Sequence, residues 1–233
     1  LIAIKALLPF RAHPRRSSHR RCPGVRLGEE LDMDAPENSI TTLHSCVPLD
    51  ERFYADRQRF RAALSIEHPL AVLADEHTHV LGELSRLELA LASAHPSADD
   101  LRVCAEVSAF LLQVEPHHLR EERVLFPALR ERGIDGPPTV MEAEHVAIRR
   151  AKERLRAAAV ELLARSKPPP RAWEELCCAA VPLIAALRGH IAKEDAILYP
   201  LAQRAIEPSA WGDLRKRCDA IGYCCQRPPS RSR

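Results

Sequence analysis

The pair His117-x3-Glu121 recurs as His190-x3-Glu194, and each copy runs into the same ending, Leu125-Phe126-Pro127 in the first and Leu198-Tyr199-Pro200 in the second. Residues four apart on a helix share a face, so each pair presents an imidazole and a carboxylate side by side, the makings of a metal site. A Glu-His dipeptide precedes each pair, Glu76-His77 and Glu144-His145. The candidate metal ligands are therefore His77, His117, Glu121, His145, His190 and Glu194. Mixed imidazole and carboxylate donors suit iron, manganese or zinc better than calcium or copper(I). Four histidines and two glutamates exceed what one tetrahedral zinc needs. They do suit two octahedral ions: bridging carboxylates give about four bonds, imidazoles about four and an oxygen bridge about two, leaving about two of roughly twelve positions open. Open positions on a dinuclear centre imply reaction with a small molecule.

Helices must position these groups. Aligning His77 with His145 and His117 with His190 makes residues 70–131 and 138–204 two versions of one helical hairpin, which predicts a pseudo-two-fold bundle with its ligands near the axis. Apolar stripes select among the histidines. His77 shares a face with Leu70, Leu73, Ala74, Leu81, Leu84 and Leu91, whereas His79, about 200° around, points to solvent. His117 and Glu121 share a face with Val107, Phe110, Val114, Val124 and Ala128. The neighbouring face through His118 and Glu122 also carries Glu115 and reads as a poorer core face. His145 lines up with Met141, Ile148 and Leu155, and His190 and Glu194 with Ala180, Leu183, Leu187, Ile197 and Leu201. An ionised glutamate in such a face costs several kcal/mol unless a cation compensates it. No Lys or Arg is read onto those stripes near Glu121 or Glu194, so a metal is the simplest compensation.

Punctuation sets the boundaries. His68-Pro69 opens the first helix and His95-Pro96-Ser97 closes it; the second runs from about Ala98 to Leu129 with a kink expected at Pro116. The third spans roughly Thr139 to Arg165 after the Gly136-Pro137-Pro138 turn. The fourth runs from about Arg171 to Ala205, with Pro182 a second expected kink, and a short helix follows around Trp211 to Ala220. The fold class is all-α, an up-down antiparallel four-helix bundle over residues 66–206, followed by a short helix and loose tail over 207–233.

Residues 1–65 read as a disordered basic, Pro-rich extension: Arg11 to Arg26 is crowded with Arg, Pro and Ser and lacks an apolar period. The chain opens on Leu1, and Met33 stands as a candidate translation start. Leu1 to Phe10 is a poor signal peptide, and no uninterrupted apolar run approaches a membrane span. A net charge of +2, with both signs interspersed, argues against nucleic acid or membrane as the main partner. The eight cysteines fit neither a zinc ribbon nor a CxxC pair. Cys104, Cys177 and Cys178 read as core or flank residues in a reducing, cytoplasmic compartment, and the tail trio Cys218, Cys224 and Cys225 as groups able to bind metal or oxidise. A ferritin-like site is disfavoured because it uses Glu-x-x-His, and no His-Glu-x-x-His protease motif occurs.

Over residues 66–206 the sequence resembles the hemerythrin-like, or HHE cation-binding, domain family. The resemblance rests on Asp75-Glu76-His77, His117-His118-Leu119-Arg120-Glu121-Glu122 with Leu125-Phe126-Pro127, Glu142-Ala143-Glu144-His145, and His190-Ile191-Ala192-Lys193-Glu194-Asp195 leading to Pro200. It implies a non-haem di-iron centre, two iron ions with an oxo or hydroxo bridge, in which the four histidines are terminal ligands and Glu121 and Glu194 are bridges. The implied partner is a small diatomic molecule, dioxygen or nitric oxide. Compared with the oxygen-carrying hemerythrins, Met141 stands where a further histidine is expected, and the last carboxylate is a Glu four residues after its His. These departures place the chain nearer the HHE group and disfavour simple oxygen storage. They imply a centre more reactive toward dioxygen, nitric oxide or peroxide, one that binds or senses such a molecule or buffers iron. The enzyme alternative is redox turnover of peroxide or nitric oxide at the same centre; the structural alternative is a metal-free interaction bundle. The N-terminal cysteine-bearing module usual in the family's iron-sulfur repair members is not recognised in residues 1–65.

Overall fold

A computed structural model describes residues 51–93, 95–164 and 170–225, and these are helical with no strand among them. The readings for the basic arm, Met33, Cys22 and Cys46 fall outside the described residues. The expectation of an irregular chain up to residue 65 is corrected at its described end, because Glu51–Ala62 form a helix, α1. It lacks an apolar stripe. Two ion pairs, Arg57 with Asp195 and Arg61 with Asp75, hold it together with two rings, Phe53 buried and Phe60 packed against an apolar cluster.

Prolines and capping side chains decide where the next helices start. In α2 (Pro69–Leu91) Pro69 occupies the first turn, where no N–H is needed, and the His68 ring accepts a hydrogen bond from the Leu70 N–H at 3.2 Å. A capping box of Ser97 and Asp100 opens α3 (Ala98–Gln113). The break expected at Pro116 falls at Val114, after which come α4 (Glu115–Arg120), a π-helical turn π1 (Glu121–Leu125) and α5 (Phe126–Arg130). Gly133, at φ 75°, makes the turn that only a residue without Cβ adopts freely. The following helix, α6 (Gly136–Leu163), takes Pro137 and Pro138 into its first turn. Then α7 (Pro170–Lys193) continues through Pro182, a second π turn π2 (Glu194–Leu198) follows, and α8 (Tyr199–Ala205) and α9 (Trp211–Ile221) complete the order.

Two helices, α2 and α6, each pack on both α3 and α7, so these four close a ring of neighbours. Two apolar clusters fill it. One gathers Val80, Leu84, Leu87, Val107, Leu111, Leu155, Leu176, Leu183 and Leu187. The other gathers Leu70, Leu73, Phe126, Leu129, Met141, Leu198 and Tyr199 with Trp211 and Leu214 of α9. The histidines and glutamates of the repeat form a polar layer between them. The stretch Arg171–Ala205 is long and apolar enough to cross a membrane by length and composition. It also carries buried His190 and Glu194 and packs on α2 and α6, as the core helix of a bundle does.

Candidate metal centre

Each His-x3-Glu pair ends on a π turn, a feature that a 3.6-residue template does not contain. The Phe126 N–H reaches back to the Glu121 carbonyl, and the Tyr199 N–H to that of Glu194, five residues in each case. Pro127 and Pro200 give the physical reason. A proline ring collides with the carbonyl four residues earlier and offers no N–H, and one wide turn relieves that crowding. The added residue shifts the register that follows. Ile197, read onto the inner face, is 47 % exposed, and Leu198 and Tyr199 are buried in its stead.

All six repeat residues converge and are buried. His77 Nε2 lies 3.1 Å from His117 Nε2, and His145 Nε2 3.0 Å from His190 Nε2. Each glutamate reaches both histidine pairs. Glu121 Oε2 is 3.4 Å from His117 Nε2 and 3.4 Å from His145 Nε2. Glu194 Oε2 is 3.2 Å from His77 Nε2, while its Oε1 is 3.0 Å from His190 Nε2 and 3.7 Å from His145 Nε2. Ligand atoms of His77, His117 and Glu194 lie within 4.8 Å of one another, as do those of Glu121, His145 and Glu194, so each trio could hold an ion. His79 lies outside the cluster and is exposed.

The opposite ring nitrogens fix the orientation of the imidazoles. Nδ1 of His77 faces Asp195, that of His117 faces Glu76, that of His145 faces Glu122 and that of His190 faces Glu144, each at 2.8 Å. A carboxylate behind a ligating imidazole sets its tautomer and turns the Nε2 lone pair to the metal. Behind every carboxylate stands a cation: Arg57 on Asp195, Arg120 on Glu76, Arg149 on Glu122 and Lys193 on Glu144. Four such relays are a second layer that the sequence reading did not assign, although Glu76 and Glu144 sit in its Glu-His dipeptides and Glu122 and Asp195 directly follow its glutamates. Arg120 and Lys193 even hold matching positions, one residue before each glutamate.

The residues present fit a pair of cations. The Nε2 atoms of each histidine pair face each other about 3 Å apart, so each pair must share a proton or hold a cation, and Glu121 Oε2 and both Glu194 oxygens are buried without a well-directed hydrogen bond, a cost that bound cations remove. Without metal, protons supply the missing charge. Burial opposes an imidazolium at His77, but Asp195 and Glu194 outweigh it and hold the ring up to about 10. At His145 burial is likewise outweighed, by Glu121 and Glu122, and the value reaches about 11. Glu194 is held well below the carboxylate range, since His190, His145 and His77 overcome its burial.

Two further buried groups correct the reading of the faces. His118, read onto a poorer core face, is only 3 % exposed and stacks on His145 with ring centroids 4.1 Å apart. Lys152, which no stripe included, is equally buried on the inner face of α6. The period places it there, seven residues after His145. A template that counts only apolar residues passes over it.

Tyr199 also breaks the symmetry of the repeat, because its hydroxyl donates to Glu121 Oε1 at 2.7 Å whereas Phe126 holds the equivalent place in the first copy. Tyr199→Phe is therefore expected to keep the fold and cost the metal-free protein about 1.5–3 kcal/mol, the worth of a hydrogen bond to a charged group. Denaturant unfolding reads it, and an unchanged midpoint would mean that the hydroxyl contributes nothing to Glu121.

Residues 68–202 match the sequence model described as hemerythrin HHE cation binding domain. Among curated relatives, the chain is 29 % identical over 184 residues to the iron-sulfur cluster repair protein YtfE of Yersinia pseudotuberculosis serotype IB (strain PB1/+), covering 75 % of this chain and 79 % of that protein. It is 28 % identical over 184 residues to the protein of the same name from Yersinia pestis (strain Pestoides F), with the same coverage.

Proposed function

Because this chain belongs to the hemerythrin HHE cation-binding domain family, we propose that it is a non-haem di-iron protein that binds or senses a small molecule, dioxygen or nitric oxide. In this reading α2, α3 with α4, α6 and α7 are the four helices of an up-down antiparallel bundle. His77 and His117 would hold one ion and His145 and His190 the other, with Glu121 and Glu194 within reach of both. One observation carries the reading: two buried glutamates, each within reach of both histidine pairs, keep oxygens without hydrogen-bond partners.

Two irons, when bound, supply open coordination positions and a change of oxidation state. The protein does the rest. The four carboxylate–cation relays hold the imidazoles in one tautomer and one rotamer, Tyr199 restrains one oxygen of Glu121, and the apolar clusters on either side keep bulk water from the layer. Free cysteines among the described residues, Cys104 and Cys218 buried and Cys224 and Cys225 half-buried, accord with a reducing, cytoplasmic setting.

The relatives named for iron-sulfur cluster repair favour a second reading, in which the same centre buffers iron and gives it up where clusters are rebuilt. The experiment is metal analysis with the ultraviolet-visible spectrum of protein from iron-fed cells, before and after dithionite and air. About two irons per chain and a charge-transfer band that bleaches on reduction are expected. No iron, or a single zinc, overturns the proposal. Iron that passes to an acceptor apo-protein faster than to a chelator alone would favour the buffering reading.

A further inference from the structure

The relay behind His117 is sealed, and its counterpart behind His190 is not. The Glu144 and Lys193 side chains are 29 % and 24 % exposed, whereas those of Glu76 and Arg120 are 0 % and 1 % exposed. What covers the first relay is the chain beyond α9. Gly222, at φ 95°, ends that helix in a conformation that favours glycine, and residues 223–225 run back over the relay. The Tyr223 ring lies against the Arg120 guanidinium, with Cζ 4.6 Å from the ring centroid, and its hydroxyl donates to Asp219. The Cys224 N–H donates to Glu76 Oε1 at 3.4 Å, while Oε2 of the same carboxylate serves His117 at 2.8 Å and Arg120.

Two neighbouring thiols end this strap. Cys224 and Cys225 are free and half-buried, with Sγ atoms 2.9 Å apart and both side chains packed against an apolar cluster. Their contact holds the Cys225 thiol below its ordinary range, toward the thiolate that attacks disulfides. The peptide between them is trans. Such neighbours have Cα atoms about 3.8 Å apart, short of the roughly 4.4–6.8 Å that a disulfide spans. Joining these sulfurs therefore closes a strained ring and obliges the local backbone to move. That backbone carries the N–H on Glu76, and its departure leaves Oε1 of a wholly buried carboxylate without this donor.

We propose that Cys224 and Cys225 are a redox-active dithiol oxidised by small disulfides, and that the vicinal disulfide unfastens the strap from Glu76 and Arg120 and loosens metal held through His117. The link to metal rests on the di-iron reading; the dithiol does not. The Cys225 thiolate attacks a disulfide RSSR and expels one RS⁻. Cys224 gives up its proton, and its sulfur displaces the second RS⁻ from Cys225. Each leaving thiolate takes up one proton from the dithiol. One S–S bond is broken and one made, the dithiol loses two electrons, and RSSR becomes two RSH.

The probe is oxidised glutathione, equilibrated without oxygen against the full chain loaded with iron(II), and read by peptide mass and by competition for iron with a chelator. The peptide bearing both cysteines is expected to lose two hydrogens and to regain them in excess reduced glutathione. Iron is expected to be held about tenfold more weakly in the oxidised form, the scale on which partners behind metal ligands act. The double variant Cys224→Ser, Cys225→Ser keeps the backbone N–H and should hold iron as the reduced wild type does, whatever the glutathione ratio. Cys218→Ser should respond as the wild type does. Glutathione adducts alone, or a bridge to Cys218, overturn the dithiol. A vicinal disulfide that leaves iron affinity within twofold overturns its link to the relay. Absence of iron from the reduced wild-type protein overturns that link differently, by removing the reading on which it rests; iron analysis before oxidation distinguishes the two, and the peptide masses decide the dithiol in either case.

Discussion

Stripping the metal is expected to lower the thermal midpoint by about 10 °C or more, and by a larger margin at pH 8 than at pH 6. Ions present at about a thousand times their dissociation constant add about 4 kcal/mol to the folded state, and a chain of this size shifts by about 2–4 °C per kcal/mol. The pH dependence follows from what replaces the metal. In the metal-free protein His77 and His145 have folded values of about 10 and 11, above the ordinary 6.5. Their protonation stabilises the fold fully below about pH 6.5, and that contribution is lost as pH rises through 10 to 11. Metal binding has the opposite slope, since ions compete with those protons and win more easily as pH rises. The gap between loaded and stripped protein must therefore widen upward. Scanning calorimetry with and without chelator at the two pH values measures it, and a gap that is constant or narrows would mean that protons and metal do not share these histidines. His117→Ala is expected to lose iron and to lie near the stripped midpoint, whereas His79→Ala, altering an exposed ring, keeps both. Equal iron loss in the two variants would undo the assignment of faces.

The contrast between His77 and His79 was legible in the sequence because burial on a helix follows a period, and a histidine that shares a face with Leu73, Leu84 and Leu91 has only one place to go. The same logic brought out His117, Glu121, His145, His190 and Glu194, all of which lie in the buried layer. It failed where the period itself changes. A π turn has no propensity of its own, so Ile197 was read inward although the extra residue turns it out. The repeated Leu-aromatic-Pro ending was the available signal, since a proline one residue after an aromatic twice over marks a constraint on the turn before it. It failed again for Lys152 and His118, because apolar counting assumes that a charged or polar residue breaks a stripe. Here those residues continue it, and the exceptions fall beside the candidate site, where function tolerates a locally unfavourable choice.

Arg57→Ala is expected to weaken metal binding about 10–100-fold and to cost about 3 kcal/mol of stability, an effect that the repeat alone would not foresee. Three of the four relays draw their cation from within the repeat: Arg120 and Lys193 at matching positions, and Arg149 four residues after His145. The position matching Arg149 is Leu81, so the first half has no cation of its own for Asp195. Arg57 of α1 supplies it, with Nε 2.5 Å from Asp195 Oδ2 and further bonds to the Ala74 carbonyl and, at 2.9 Å, to Thr78 Oγ1. The Asp195 side chain is 1 % exposed. Without the guanidinium it keeps, among the described residues, only His77, pulls harder on that ring's proton, and loses its fixed orientation. Arg61→Ala is the control from the same helix: its partner Asp75 is part-exposed at 2.7 Å, the loss should stay below about 1 kcal/mol, and metal affinity should not move. A chain trimmed to begin at residue 66, the boundary that periodicity suggested, should behave as Arg57→Ala does. If the trimmed chain and Arg57→Ala both hold iron with wild-type affinity, α1 is packing alone; if they lose it together while Arg61→Ala does not, the helix outside the repeat is part of the metal centre.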